Sequence, residues 1–416
     1  MTAELTSGSI EEAIFLASDN RYAYNLTSTI EAMIGRPLLS QNGRTLGGSS
    51  EINDMYSVRG SRELYNRWAE LVGDQWSYDQ IRSLFKENET YTGDTQNPAE
   101  RGTNGPIFIR QQIIPTSGLI QTLTNETAQV LGIPVVQDYN TGIRDCTFYQ
   151  GQYNQREVNG EFVRSSTATG YLNAQIVTPG NQFQSDQFGV NRRRLAIFGK
   201  TTVDKIVFQK KKKRGKYVAV GVDFVKNGVS MRSYARKGII VSAGFFSSVI
   251  LQRSGIGKTE DLTRAGIQTL IESPNMGYNM QAHAYVGMGV RVETSQLVPI
   301  LLADPDQPLA LGAFKAEHPA SLEAYVKGSY SNFFHFGGQC RMAETIEEGV
   351  VDGFLNVFGT KNLKVADLSV SPILPDGNTG IAAEMIGLNA ARFMKKDPNS
   401  CILSDDELEE DDDEED

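Results

Sequence analysis

Asn332-Phe333-Phe334-His335-Phe336-Gly337-Gly338-Gln339-Cys340-Arg341-Met342 is the stretch from which this chain reads outward. Val350-Val351-Asp352-Gly353 comes after it. Then come Asn362-Leu363-Lys364-Val365-Ala366-Asp367-Leu368-Ser369-Val370-Ser371-Pro372, Pro375 and Gly377-Asn378-Thr379-Gly380. Taken alone, a histidine after two phenylalanines is more often a satisfied core residue than a catalytic one. Its neighbours in order give it weight.

Composition bounds the class. The chain has 416 residues, 40% hydrophobic and 9% aromatic, which fits a globular protein with a large core. No run approaches the ~20 apolar residues that span a bilayer. The opening Met1-Thr2-Ala3-Glu4-Leu5 has neither a basic nor an apolar leader region, so the expectation is a protein that is not secreted. Cys146, Cys340 and Cys401 then read as free thiols in a reducing compartment, without metal-ligand spacing, and no metal site is expected. The net charge of -10 is concentrated at one end, because residues 404–416 carry 11 acidic residues and the rest is near neutral. Such an end repels itself and buries nothing, so it is expected to be a disordered, solubilising tail.

Working back from the signature, Gly43-Arg44-Thr45-Leu46-Gly47-Gly48-Ser49-Ser50-Glu51-Ile52-Asn53 is a small-residue loop that lets backbone approach a flat surface closely. Val58-Arg59-Gly60-Ser61, Tyr65, Trp68 and Trp76-Ser77-Tyr78 come next. Residues 90 to 108 read as loop, and Ser117 to Leu131 has helical spacing. Arg164-Ser165-Ser166-Thr167 leads to Tyr171-Leu172. Strands are expected at Leu195–Phe198, Val203–Phe208 and Tyr217–Phe224. Lys210-Lys211-Lys212-Lys213-Arg214-Gly215-Lys216 falls where the last two need a hairpin turn, so a solvated loop is the plainer reading. Together with Arg192-Arg193-Arg194 it also keeps open a nucleic-acid packaging module. Lys237 to Gly244 predicts a strand and turn, leading into a helix that ends at Ser254-Gly255-Ile256-Gly257, and Pro274 to His283 completes the series.

In this order the segments resemble the signatures of the glucose-methanol-choline (GMC) oxidoreductases. The resemblance implies an α/β FAD-binding-type fold, FAD as cofactor and oxidation of CH–OH groups. It gives His335 the part of proton acceptor and Asn378 that of hydrogen-bond donor to the substrate oxygen. Histidine suits the first because it titrates near neutrality, and an amide suits the second because it donates without taking a proton. The resemblance also places Gly47, Gly48, Ser49, Asn53, Val203, Ala366, Asp367 and Thr379 at the cofactor. His283 and His318 are expected to be structural. Ala282 and Gln339 depart from the family pattern, which has aspartate and threonine there.

Two features count against turnover. Residues 1 to about 45 hold no strand–turn–helix with G-x-G-x-x-G, and nothing elsewhere replaces it, although that unit seats the pyrophosphate of a dinucleotide. Only 52 positions separate His283 from His335, too few for a substrate domain built on a sheet of about five or six strands. The expectation is therefore an α/β (α+β remnant) fold lacking the N-terminal βαβ dinucleotide unit. Residues 1–290 would form a partial FAD-binding-domain remnant and 291–330 a residual substrate domain. Residues 331–403 would complete the FAD domain, ahead of the tail at 404–416. This describes a truncated, inactive oxidoreductase-like protein. It resembles the truncated GMC-type proteins of mimivirus-like giant viruses, which implies a structural role in the host cytoplasm or the virion. The rival enzymatic reading has a homologous full-length protein or a separate N-terminal fragment supply the missing fold. A homo-oligomer is a further expected form, and no membrane partner is expected.

Overall fold

Two amphipathic helices start the core, and the C-terminal helix closes it. In the computed structural model, which describes residues 16–32, 34–112, 118–179, 186–209, 215–286 and 322–396, Ser61 caps the helix Arg62–Val72 by accepting the Leu64 N–H, and Tyr65, Trp68 and Val72 are buried. The helix Tyr78–Asn88 buries Tyr78, Ile81, Leu84 and Phe85, the stripe expected of a helix facing a core. Trp68 and Trp76 meet edge-to-face at 5.8 Å, and Phe393 meets Trp76 at 5.9 Å. Phe393 belongs to the helix Gly380–Lys396, which also buries Ile381, Met385, Ile386 and Ala390. Segments more than 300 positions apart thus share one apolar cluster.

The expected hairpin forms: Thr201–Phe208 runs antiparallel to Tyr217–Lys226, with Val203 opposite Phe224. Most of the lysine run, residues 210–214, lies outside the described residues, as do Cys401, His318 and the acidic tail. A third strand, Val229–Tyr234, continues the sheet. The strand series expected from the sequence ends at Phe224 and leaves it out. Its signal is Asn227-Gly228, both at positive φ (51° and 80°), the backbone that a two-residue hairpin loop needs.

Residues 90 to 108 are not all loop. Glu89–Tyr91 and Ile107–Gln111 are strands, paired in parallel from Glu89 opposite Ile107. Ile107 and Ile109 are buried on one face of the second strand, an alternation that outweighs the turn-rich composition between the strands. The helix Gly118–Leu131 agrees with the expected span.

Between the two family segments, Ala284–Val286 pairs antiparallel with Tyr330–Asn332, so the chain leaves and returns at the same place. Residues 287–321 lie outside the described residues, and the helix Leu322–Ser329 leads into the returning strand. Ile239–Val241 pairs in parallel with Leu363–Val365 and with no other strand among the described residues.

A buried charge cluster fixes the early helices to the strands. Arg59 Nη2 lies 2.6 Å from Glu89 Oε1, Arg101 Nε lies 3.2 Å from the same oxygen, and Arg101 Nη1 lies 3.5 Å from Asp138 Oδ1. All four side chains are excluded from water. Removing one charge strands its partner in a low dielectric, which costs more than the pair contributes. Arg59→Ala should lower unfolding free energy by about 3–5 kcal/mol in urea titration, and Arg59→Met with Glu89→Met should recover most of it.

Candidate functional site

The glycine loop is built first. Gly47 and Gly48 both take positive φ (94° and 58°), a succession that side chains resist. A Cβ on Gly43 would come within 2.2 Å of the Gly48 carbonyl carbon, so the loop closes on itself at a glycine–glycine contact. The outer side of Gly48 is open among the described residues, none of which lies within 4 Å of where its Cβ would be. Ser49 Oγ accepts the Gly43 N–H at 3.0 Å.

Arg164 holds this loop in place. Its Nη1 donates to Ser50 O at 3.1 Å, to Asn53 O at 2.8 Å and to Asn53 Oδ1 at 2.8 Å. Thr167 Oγ1 and Ser50 Oγ both donate to Gly47 O, at 3.1 and 2.8 Å. The Ser166 hydroxyl donates to the buried Glu51 carboxyl, whose pKa burial pushes up. The segment 164–167 has no role that its sequence reveals, and the structure makes it the loop's clamp. Asn53 is the link onward: a Cβ on Gly380, at the start of the last helix, would lie 3.8 Å from Asn53 Nδ2.

Asn378 and Thr379 precede that helix and are placed by their neighbours. Asp376 Oδ1 accepts the Ser61 N–H at 2.9 Å, and Oδ2 accepts the Ser61 hydroxyl. A Cβ on Gly377 would sit 2.3 Å from Val58 Cγ1, so only glycine fits there. Thr379 is buried, and its carbonyl accepts the Ala383 N–H at 3.0 Å to open the helix. The Asn378 side chain is half-buried and carries no hydrogen bond among the described residues.

His335 stands beside a second histidine. Its Nδ1 lies 2.8 Å from His283 Nδ1, with ring planes 84° apart. Gln281 and Gly337 exchange backbone hydrogen bonds of 2.8 and 3.0 Å, which brings the two segments together. Burial lowers the His335 pKa to about 4, and His283 lowers it further toward that value. Burial also lowers that of His283, against a hydrogen bond to the Pro375 backbone and the nearby Asp376 charge. Both rings are therefore neutral at pH 7. The sequence expectation for His283 is a structural residue. Its contact with His335 spans 52 positions, a distance at which spacing carries no signal.

Asp367 is buried and accepts from three donors. It accepts the Gly244 N–H at 2.9 Å, the Ser247 hydroxyl, and the Ser369 N–H at 2.8 Å. Burial raises its pKa, and these donors oppose the rise. The Ala366 N–H donates to Val241 O at 2.9 Å, extending the parallel pair. From the Gly244 turn, Phe245 reaches Phe336 at 5.5 Å and Phe246 reaches Tyr24 at 4.9 Å. No motif marks this aromatic bridge. Val203 lies on the edge strand opposite Phe224, 39% exposed, and takes part in none of the hydrogen bonds or ring contacts described above.

Next to these groups, Glu384 is enclosed on the last helix. Asn88 Nδ2 donates to it at 2.6 Å, and Tyr171 OH donates to Asn88 Oδ1 at 2.6 Å. Burial raises its pKa from 4.5 to about 7, against the Asn88 bond. A raised carboxyl pKa means that the folded chain holds a proton the unfolded chain has released. Stability is then greatest below about pH 4.5 and falls as pH rises toward 7. Glu384→Gln should flatten that decline, worth on the order of 2 kcal/mol between the two ends, in denaturant titrations across the window.

Known proteins share this arrangement. The N-terminal GMC oxidoreductase family model matches residues 21–285, and the C-terminal one matches 279–387. The mitochondrial choline dehydrogenase of Homo sapiens is 28% identical over 299 residues, 70% of this chain and 44% of that protein. The oxygen-dependent choline dehydrogenase of Brucella anthropi is 32% identical over 253 residues, 61% of this chain and 41% of that protein. The match thus spans less than half the length of these curated relatives. Among solved structures, pyridoxine 4-oxidase from Mesorbium loti superposes with a TM-score of 0.74 at 19% identity, covering 95% of this chain and 92% of that one. A formate oxidase from Aspergillus oryzae RIB40 gives 0.73 at 19% identity, covering 95% and 91%. At such identities these likenesses speak for the mixed α/β fold, and the two family models speak for descent. The chain belongs to the GMC oxidoreductase family.

Proposed function

We propose that this chain carries the substrate side of a flavin-dependent site for oxidising CH–OH groups, and that by itself it does not hold FAD well enough to turn over. The formate oxidase relative is an FAD protein. Fitting that group to the residues here divides the site. The loop at Gly47 and Gly48 offers a bare backbone face, Asn378 a free amide and His335 a neutral imidazole, and these suit the ring end.

The phosphate end fares differently, and the observation that carries the proposal is that these residues hold no G-x-G-x-x-G turn to supply N–H donors for a pyrophosphate. The Asp367 carboxylate makes up for none of this, because it is an acceptor and takes its donors from Gly244, Ser247 and Ser369 inside the protein. Charge-assisted bonds to a pyrophosphate are about twice as strong as neutral ones, so their loss is not made up by contacts at the ring.

When bound, FAD would supply the hydride acceptor. His335 would take the proton of the substrate hydroxyl, and Asn378 would donate to the substrate oxygen. Without FAD these groups have no oxidant to work with, and a structural role, in a virion, is the use this reading leaves for the scaffold. Among the described residues no helix is long and apolar enough to cross a membrane. A packaging role is disfavoured at Arg193, whose guanidinium is engaged with the Gln175 and Ile176 carbonyls.

A second reading has its own support. The ring-side groups are intact, so a separate chain carrying the dinucleotide unit would complete an enzyme. The test is a flavin absorbance spectrum of the purified chain before and after incubation with FAD and desalting, with alcohol-dependent dye reduction alongside. Sub-stoichiometric flavin and no reduction are expected from the chain alone. Stoichiometric flavin, reduced by alcohol, would overturn the proposal. Recovery of both only on adding a dinucleotide-binding fragment would select the second reading.

A further inference from the structure

The sheet of the lysine hairpin gathers cations at one end. Lys216 comes just before the strand Tyr217–Lys226, and the Ala235 N–H donates to Val220 O at 2.7 Å, which brings Arg236 and Lys237 alongside the start of that strand. Thr360–Lys361 pairs in parallel with Tyr217–Val218 and sets Lys361 opposite Val218. Lys216, Arg236 and Lys237 are exposed and Lys361 is half-buried, and none of them makes an ion pair or a side-chain hydrogen bond among the described residues.

The acids of the sheet are engaged elsewhere. Asp223 pairs with Arg232 at 2.6 Å, Asp186 with Lys226, and Asp204 with Arg253. Asp352, in the segment that leads to Lys361, accepts the Phe354 and Asn356 N–H groups, both at 2.9 Å. The sequence between the hairpin strands, Lys210 to Arg214, has the same positive sign. Like charges gathered at one end repel one another, and an end of this kind attracts polyanions.

We propose that the acidic run Asp405–Asp416 folds back on its own chain and covers this end of the sheet. Sign and reach carry the inference. Residues 404–416 hold 11 acidic residues and no base. Their root lies close by. Phe393, in the last turn of the helix Gly380–Lys396, meets Phe354 at 5.2 Å. From Phe354 the chain runs to Gly359, whose carbonyl accepts the Tyr217 N–H at 3.1 Å. That stretch covers at most about 18 Å. Residues 397–404, extended, reach about 28 Å, enough to bring the run from the helix end to Lys216. Lys395 and Lys396, exposed at the helix end, carry the positive surface up to the root.

Tethering decides the occupant. Each exposed pair contributes little by itself, and salt screens it. A tethered run stands beside its target at about millimolar effective concentration, which a free polyanion does not match. The run of a second copy meets the same surface only at the concentration of the protein itself.

The test uses the full chain in low-salt buffer. Carbodiimide coupling joins touching carboxylates and amines as amides, and peptide mass spectrometry then locates the links. Residues 405–416 should be linked to Lys216, Lys237 and Lys361, and the links should vanish in about 1 M salt. In an equal mixture of 15N-labelled and unlabelled chains, each link should stay within one isotope. Mixed-isotope links would overturn the proposal, as would links confined to Lys395 and Lys396 or links that salt does not remove. Heparin, as a probe polyanion, gives a second readout. Removing residues 405–416 should tighten its binding about tenfold. Lys216→Gln, Arg236→Gln, Lys237→Gln and Lys361→Gln together should weaken heparin binding by the shortened chain and leave that by the full chain nearly unchanged, because the run already covers those positions. Equal weakening in both chains would show that the run acts through net charge alone, and would overturn the proposal. Neither measurement involves flavin, so the result is independent of the turnover reading.

Discussion

A carboxylate shut away from water has to be satisfied by the protein, and Asp367 is satisfied from two sides of the chain at once. Gly244 and Ser247 reach it from about 120 positions upstream, and Ser369 reaches it from its own turn. The parallel pair Ile239–Val241 with Leu363–Val365 delivers it there, and the Ala366 N–H carries the ladder one step further. The C-terminal signature is therefore docked on the middle of the chain by a buried charge and a strand pair together. If that junction opened, an unpaired carboxylate would be left in the core, so the junction favours one register over its neighbours.

That docking places the site. Asp376 repeats the logic at smaller scale, gripping Ser61 while Gly377 packs on Val58 with no room for a side chain. Between these anchors the backbone from Pro375 to Thr379 has little freedom. His335 pairs with His283, and Asn378 lies on this strap. On the facing side, Arg164 plays the matching part for the loop from Gly47 to Asn53. The groups expected to do chemistry are neutral or without a hydrogen-bond partner among the described residues, and their supports are charged and hydrogen-bonded to the backbone around them. That division is the one a preformed site needs, since reacting groups work best when others have already fixed them.

The two ends of the proposed cofactor site rest on different residues. The ring end is the glycine loop with His335 and Asn378, and the segment around Asp367 serves the fold. Membership of the family and the turnover proposed for this chain are therefore separate matters, tested by different measurements.

How much of the fold is legible in the residues alone depends on the range of each interaction. Local rules give the helix at Gly118–Leu131, the hairpin around the lysine run and the turn before Ser247, because apolar spacing and turn residues act over a few positions. Motif order gives the family and the two residues His335 and Asn378. Other features lie beyond it. Val229–Tyr234 escapes notice although Asn227-Gly228 marks it, and the strands at Glu89 and Ile107 are hidden by turn-forming neighbours. The sequence by itself determined which residues are chemically able to act, since side-chain type and local spacing are written in it. Only the tertiary structure decided which of them meet: His283 with His335, Asp367 with Ser247, Arg164 with Asn53. Those contacts span from about 50 to 120 positions, and a buried polar group finds its partner through the whole fold rather than through its neighbours in the chain.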